Sequence, residues 1–224
     1  MRDRTVIRAV LADDHPVFRH GVADLLVATG EVDIVASVDT GTAAVRAVMD
    51  HGPDIAILDL AMPEMNGVAV VRKLAERGSP TRVIMLSVYE SRVYVEQAFE
   101  AGACGYVFKR SAFQNIAQAV RAVSVGGTYL DPLLPGRNVA NHHPNSDLLH
   151  EAGKHPLTER EKEILRFVAF GFTSKEVAAH LNSHMKTIET LKSRACCRLG
   201  ITSRAQIVQF AILQGWLQGE MPLR

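Results

Sequence analysis

Apolar residues in the first half of the chain fall into two alternating kinds of segment. Short unbroken runs rich in Val and Ile are "TVIRAVLA" (5–12), "DIVASV" (33–38), "DIAIL" (54–58), "RVIML" (82–86) and "CGYVF" (104–108). Between them lie stretches such as "HPVFRHGVADLLVATG" and "YVEQAFEAG", whose apolar residues recur at i, i+3, i+4 and i+7, the period of a helix with one buried face. Several of these stretches close on a glycine, which accepts the left-handed conformation that ends a helix. A strand that is apolar on both faces needs cover on both faces. Five such strands alternating with helices therefore predict a parallel sheet sandwiched between helical layers.

The pattern changes at residue 126. Residues 126–156, "GGTYLDPLLPGRNVANHHPNSDLLHEAGKHP", are dense in Gly, Pro, Asn and His with little periodicity, and read as a linker. Four histidines here (His142, His143, His150, His155) have no Cys partner and no fixed scaffold, so a solvated spacer is preferred to a metal site. From 157 to 217 the period is helical throughout: "LTEREKEILRFVAFG", "TSKEVAAHLN", "HMKTIETLKSRACCRLG" and "SRAQIVQFAILQGWL". Thr158 followed three residues later by Glu161 predicts a capping box at the first of these helices. The expected fold class is α/β plus all-α: a five-stranded parallel, doubly wound domain at 1–125, a linker at 126–156 and a four-helix domain at 157–224.

Composition agrees with two domains, since 224 residues at 47% apolar content suffice for a core in each. Charge divides the halves: residues 1–155 carry 15 basic and 18 acidic side chains, residues 156–224 carry 10 and 6. An acidic front and a basic back point to different partners. No stretch reaches the about eighteen uncharged apolar residues of a membrane span, and "MRDRTVIRAV" has no secretory apolar region. A cytoplasmic protein with no membrane partner is expected. Cys104, Cys196 and Cys197 form no C-x-x-C pair and read as small apolar fillers.

In an open parallel sheet, function gathers beyond the carboxyl ends of the strands. The first run is followed by Asp13 and Asp14, the third by Asp59, the fourth by Ser87 and the fifth by Lys109. Each residue alone has a dull explanation as a helix cap or a solvated helix start. Four strands delivering polar groups to one edge do not. Three clustered carboxylates repel one another unless a cation sits among them. Mg2+ suits hard oxygen ligands and keeps waters for an incoming phosphate. Asp59 is then a candidate phosphoryl acceptor, with Lys109 as countercharge and Ser87 as the hydroxyl that senses the product.

The motifs "DDHPVFRHGVADLL", "DLAMPEMNG", "MLSVYE" and "GACGYVFKR", in this order, resemble the receiver domain of bacterial two-component response regulators over the first 125 or so residues. The resemblance implies phosphorylation of Asp59 by a sensor histidine kinase, with Asp13, Asp14, Asp59 and the backbone carbonyl of Ala61 around Mg2+. It also implies that Tyr106 moves inward when Ser87 bonds the phosphoryl group. A haloacid-dehalogenase-like phosphatase shares the strand-end Asp nucleophile but needs a second Asp two residues on, where this chain has Ala61. Neither G-x-G-x-x-G nor G-x-x-x-x-G-K-[ST] occurs, which disfavours a nucleotide-binding fold.

In the tail, "TSKEVAAHL" and "MKTIETLKSRACCRLG" are two helices joined by a short polar turn, the second carrying basic residues. Spacing alone leaves a helix-turn-helix and a plain four-helix bundle equally open. Residues 157–212, through "LTEREKEIL", "SKEVAAHL", "KTIE" and "RLGITSRAQIV", resemble the LuxR-type helix-turn-helix domain, and both halves together resemble the NarL/FixJ subfamily. At about 100 degrees per residue, Ile188, Leu191, Ala195 and Leu199 share the core face, while Lys186, Thr190, Ser193, Arg194 and Cys197 point away with Glu189 on the flank. Lys175 and Lys192 read as phosphate contacts.

Three positions depart from the commonest pattern of that family. Glu189 stands where many members have a base-contacting Lys, Leu191 replaces a usual His, and His184 occupies the helix-capping position of a Ser or Thr. The expectation is a regulator, not an enzyme, that is phosphorylated on Asp59, forms a homodimer and binds double-stranded DNA. The alternative is a receiver acting through protein contacts, with a degenerate helical tail.

Overall fold

The computed structural model describes residues 6–134 and 157–217. They form two compact units. In the first, β1 (Ile7–Ala12), β2 (Val32–Val38), β3 (Ile55–Asp59), β4 (Arg82–Ser87), β5 (Gly105–Phe108) and β6 (Tyr129–Leu130) alternate with α1 (Pro16–Ala28), α2 (Gly41–His51), α3 (Gly67–Glu76), α4 (Arg92–Glu100) and α5 (Ala112–Ser124). Every pairing is parallel and the strand order is β2-β1-β3-β4-β5-β6. The chain leaves β1 toward β2 on one side and returns to β3 on the other. The crevice opened by that reversal lies beyond the last residues of β1 and β3.

Alternation of side chains explains why the central strands read as unbroken apolar runs. Ala9, Leu11, Ile55, Ile57, Ile84, Leu86 and Val107 meet Val22 and Leu26 of α1 and Ile116, Val120 and Val123 of α5 in one buried cluster. On the other side α2 packs on β1, β2 and α3. All five residues of β3 are buried. At about 1.5–3 kcal/mol for each large aliphatic side chain removed from water, two such layers hold the strand ends in fixed register. Whatever those ends carry is placed by the core.

The sheet has six strands where the sequence pattern predicted five. The sixth lies in 126–156, the segment read as a linker: Tyr129 N–H donates to Cys104 O at 3.0 Å and Asp131 N–H to Tyr106 O at 2.9 Å. Two residues are too few to show a period, and the strand exists because the edge of β5 offers carbonyls that need donors. Residues 126–134 thus belong with the sheet. The rest of that segment, including its four histidines, lies outside the described residues, as do 218–224.

The second unit is α6 (Glu159–Ala169), α7 (Ser174–His180), α8 (Met185–Leu199) and α9 (Arg204–Leu213). Capping boxes start three of them: Thr158 with Glu161, Thr173 with Glu176, and Ser203 with Gln206. Helix α8 begins at His184 with no side-chain cap and ends at Gly200 in the left-handed conformation. Ile164, Leu165 and Phe167 of α6, Val177 of α7, Ile188 and Ala195 of α8 and Phe210 of α9 form the buried centre. Ala178, 7% exposed, is the small residue that lets α7 and α8 approach.

Candidate functional site

Each polar group predicted at the strand ends is found there. Asp59 is the last residue of β3 and Ser87 the last of β4. Asp13 follows β1 directly, and Lys109 opens a short 3-10 turn after β5. Asp13, Asp59 and Ser87 are buried. Lys109 Nζ stands 2.7 Å from Asp13 Oδ2 and 2.8 Å from Asp59 Oδ2, so one ammonium bridges the carboxylates of two neighbouring strands. The Lys109 side chain is 9% exposed and its ammonium lies 5.0 Å from the Phe18 ring centroid.

Asp14 is partly exposed, and Asp13, Asp14, His15 and Asp59 bring ligand atoms within 4.8 Å of one another. His15 was not singled out as a site residue by the sequence reasoning. Its N–H donates to Asp13 Oδ1 at 2.8 Å and its Nδ1 lies 2.7 Å from Asp14 Oδ1. Its place directly after the aspartate pair was the available signal. Ala61 N–H donates to Asp59 Oδ1 at 3.4 Å, holding the turn that follows the strand. Gly67 opens α3 because nothing larger fits: a Cβ there would strike the main-chain oxygen of Asp59 and the Met85 methyl.

Tyr106 is fully buried and its hydroxyl donates to Tyr89 O at 3.0 Å. The resemblance implied an inward movement on phosphorylation, yet here the ring is already inside, because that carbonyl satisfies its one donor. Ser87 Oγ accepts Tyr89 N–H at 2.9 Å, so one residue ties the hydroxyl to the tyrosine. Burial pushes the Tyr106 phenol far up, with the adjacent Ser87 hydroxyl opposing.

Burial also raises the Asp59 carboxyl from 3.8 to about 6, against the lowering pull of Lys109. The folded chain then holds a proton that the unfolded chain loses between about pH 4 and pH 6. Stability falls as pH rises through that window and the cost persists above it, at about 3 kcal/mol. In EDTA at pH 7.5, Asp59→Asn is expected to be more stable than wild type by about 1–3 kcal/mol in urea unfolding, with the gap closing below pH 4. Equal or lower stability of the variant at pH 7.5 would contradict the burial argument.

In the helical unit, α8 sorts as its period predicted. Ile188, Ala195 and Leu199 are buried and Leu191 is half-buried, while Lys186, Glu189, Thr190, Ser193 and Arg194 are exposed. Lys175 is exposed at the start of α7, and Lys192 Nζ reaches Ser174 Oγ at 3.3 Å. Cys197 is exposed rather than a core filler, whereas Cys104 and Cys196 are partly buried. Arg198 Nη1 pairs with the buried Glu161 carboxylate at 2.9 Å, anchoring the end of α8 to the start of α6.

A doubly wound sheet with carboxylates, a lysine and a hydroxyl at its switch point, followed by a helix-turn-helix bundle, defines a signal-receiving regulator. Comparison with known proteins makes the class specific. Residues 9–121 match the response regulator receiver domain and residues 155–211 the bacterial regulatory proteins of the luxR family. The oxygen regulatory protein NreC of Staphylococcus haemolyticus is 32% identical over 210 residues, 92% of this chain and 97% of that protein. The transcriptional regulatory protein DegU of Brevibacillus brevis is 29% identical, covering 95% of each chain. Among solved structures, the NarL signal receiver domain from Mycobacterium tuberculosis covers 54% of this chain and 98% of its own, at 38% identity and a TM-score of 0.53. RcsB from Salmonella enterica serovar Typhimurium, solved on a promoter, covers 94% of this chain and all of its own at 22% identity and a TM-score of 0.75, a likeness of fold. The chain belongs to the two-component response regulators with a LuxR-type helix-turn-helix domain, and regulates transcription.

Proposed function

We propose that Asp59 is the phosphoryl acceptor of this regulator, that a sensor histidine kinase is its donor, and that the phosphorylated chain binds double-stranded DNA as a homodimer. The observation that carries the reading is the Lys109 ammonium set between Asp13 and Asp59 at 2.7 and 2.8 Å. The Asp59 carboxylate attacks phosphorus as the donor's phosphorus–nitrogen bond breaks, and an acyl phosphate forms on Oδ. Lys109 leaves the carboxylate pair for a phosphoryl oxygen, and Ser87 Oγ donates to another. Asp13, Asp14, Asp59 and the Ala61 carbonyl would hold Mg2+, which supplies charge neutralisation on the transferring oxygens. The carboxylates of that set fit the ion: Asp13, Asp14 and Asp59 bring hard oxygens within 4.8 Å of one another, Asp13 and Asp59 being buried. The chemistry is confined to the chain's own carboxylate, so the protein is a regulator rather than an enzyme, and its place is the cytoplasm, where the kinase domain and DNA are. No helix among the described residues is long and apolar enough to cross a membrane.

The DNA-facing set is Lys186, Glu189, Thr190, Ser193 and Arg194 on α8, with Lys175 and Lys192 on phosphates. The receiver spans 1–125 and is extended by β6 to residue 134, the linker follows, and the DNA-binding domain spans 157–224. Glu189 is the informative member, because a carboxylate facing phosphates weakens binding unless cytosine N4 donates to it in the major groove. Selection of genomic fragments on the phosphorylated protein tests the reading. Enrichment of a two-half-site sequence is expected, and Glu189→Ala should relax one base pair per half-site by about 1–3 kcal/mol. No enrichment would leave the receiver acting through protein contacts alone.

A further inference from the structure

Asp131 lies beyond the 9–121 match to the receiver domain, in the segment whose sequence reads as linker, and it is fully buried. Its main chain ends β6. Pro132 follows, and the backbone turns away, with Leu133 N–H donating to Asp131 Oδ1 at 2.9 Å and Leu134 N–H to Asp131 O at 3.1 Å. β5 continues past the point where β6 stops. Register pairs Gly105 with Tyr129 and Tyr106 with Leu130, which leaves the Phe108 N–H without a strand partner. The Asp131 side chain fills that place: Oδ2 accepts Phe108 N–H at 3.1 Å and Ser111 Oγ–H at 2.5 Å, with Asn115 Nδ2 at 3.5 Å.

These partners bracket Lys109. Phe108 precedes it, Ser111 closes the 3-10 turn that Lys109 opens, and Ser111 Oγ is also 3.1 Å from Phe108 O. Asp131 N–H meanwhile holds the carbonyl of Tyr106. A buried carboxylate is costly unless its lone pairs are filled, and among the described residues Asp131 fills its own with this turn, with Asn115 of α5 and with the chain that follows it. We infer that Asp131 is a positioning residue that holds the Lys109 turn so that the ammonium reaches Asp13 and Asp59, and through which the root of the linker is fastened to the phosphoacceptor site. The consequence for labelling rests on the reading of Asp59 as acceptor; the placement of Lys109 does not.

The test separates the two on the full-length chain. Limited acetylation with acetic anhydride in EDTA, read by mass spectrometry, measures how accessible Lys109 is, with exposed Lys73 and Lys186 as references. Asp131→Ala should make Lys109 react about tenfold faster with the references unchanged. Ser111→Ala, which removes one grip without touching the carboxylate, should give a smaller rise in the same residue. Asp131→Asn, whose amide oxygen can still accept from Phe108 and Ser111, should restore most of the protection. In parallel, the initial rate of labelling from acetyl phosphate should drop about tenfold in Asp131→Ala, while the Mg2+ concentration giving half the maximal rate stays the same. Unchanged protection of Lys109 in Asp131→Ala, or a rise shared by every lysine in both Asp131→Ala and Ser111→Ala, would overturn the inference. Wild-type protein that takes no label while the Lys109 pattern holds would instead overturn the acceptor reading and leave the positioning role standing.

Discussion

Asp59→Asn is expected to take up no measurable phosphoryl label from acetyl phosphate and Mg2+, a loss of at least about a hundredfold, while remaining folded. The amide keeps the shape of the carboxyl and can accept from Ala61 N–H as Asp59 Oδ1 does, but it lacks the charge and nucleophilicity that phosphoryl transfer requires. Asp13 cannot substitute. In the proposed reading its role is to hold the ion, with Oδ1 accepting the His15 N–H at 2.8 Å and Oδ2 2.7 Å from Lys109. Asp14 is partly exposed but pairs with His15 at 2.7 Å. Intact-mass measurement of both proteins after equal exposure to the donor checks the expectation. Persistent label on a folded Asp59→Asn chain would move the acceptor to another residue, and peptide mapping would say which.

Phosphorylation is expected to raise the dimer fraction and, with it, DNA affinity by about a hundredfold, the scale on which linking two binding modules acts. The tail alone is expected to bind weakly. Its excess of basic over acidic residues is four, and affinity and salt dependence both grow with the number of phosphates neutralised. Two copies on half-sites one helical turn apart roughly double those contacts. The hydrogen bonds around Tyr89 give the expectation its route. Ser87 Oγ is held by Tyr89 N–H and the Tyr106 hydroxyl by Tyr89 O. A phosphoryl group that draws Ser87 must therefore disturb the segment anchoring Tyr106. Ser87→Ala should still take up label yet lose most of the gain in dimer and affinity. Light scattering and gel shifts on matched samples decide the matter: a phosphorylated monomer that binds tightly would break the coupling, and a tight dimer before phosphorylation would reduce it to release of the tail.

How far these expectations were legible from residues alone differs from element to element. β3 could be seen in "DIAIL" because a strand covered on both faces has to be apolar at every position, and its end could be seen because a carboxylate cannot follow such a run without a purpose. The capping box at Thr158 and Glu161 was legible because both partners lie within four residues. The outward set on α8 followed from helical period. β6 was not legible. Two residues carry no period, and their strand character comes from the open carbonyls of β5 rather than from any propensity of Tyr129 or Leu130.

Residues that act across the fold were hidden for the same reason. Tyr106 reads as a buried aromatic in any sequence, but only the structure pairs its hydroxyl with the carbonyl of Tyr89, seventeen residues earlier. Nothing in "GGTYLDP" announces that Asp131 grips the turn around Lys109, since its partners stand 20 and 23 residues away. The sequence by itself determined which segments are strands with two buried faces, which are helices with one, and which polar residues sit at strand ends, because backbone period and burial are local properties repeated along the chain. Only the tertiary structure decided that Asp13, Asp59 and Lys109 share one ion-paired cluster, that Tyr106 already points inward, and that the linker's first residues complete the sheet. Those outcomes depend on which strand lies beside which, and hydrogen-bond donors and charges separated in sequence find one another only after the core has set that order.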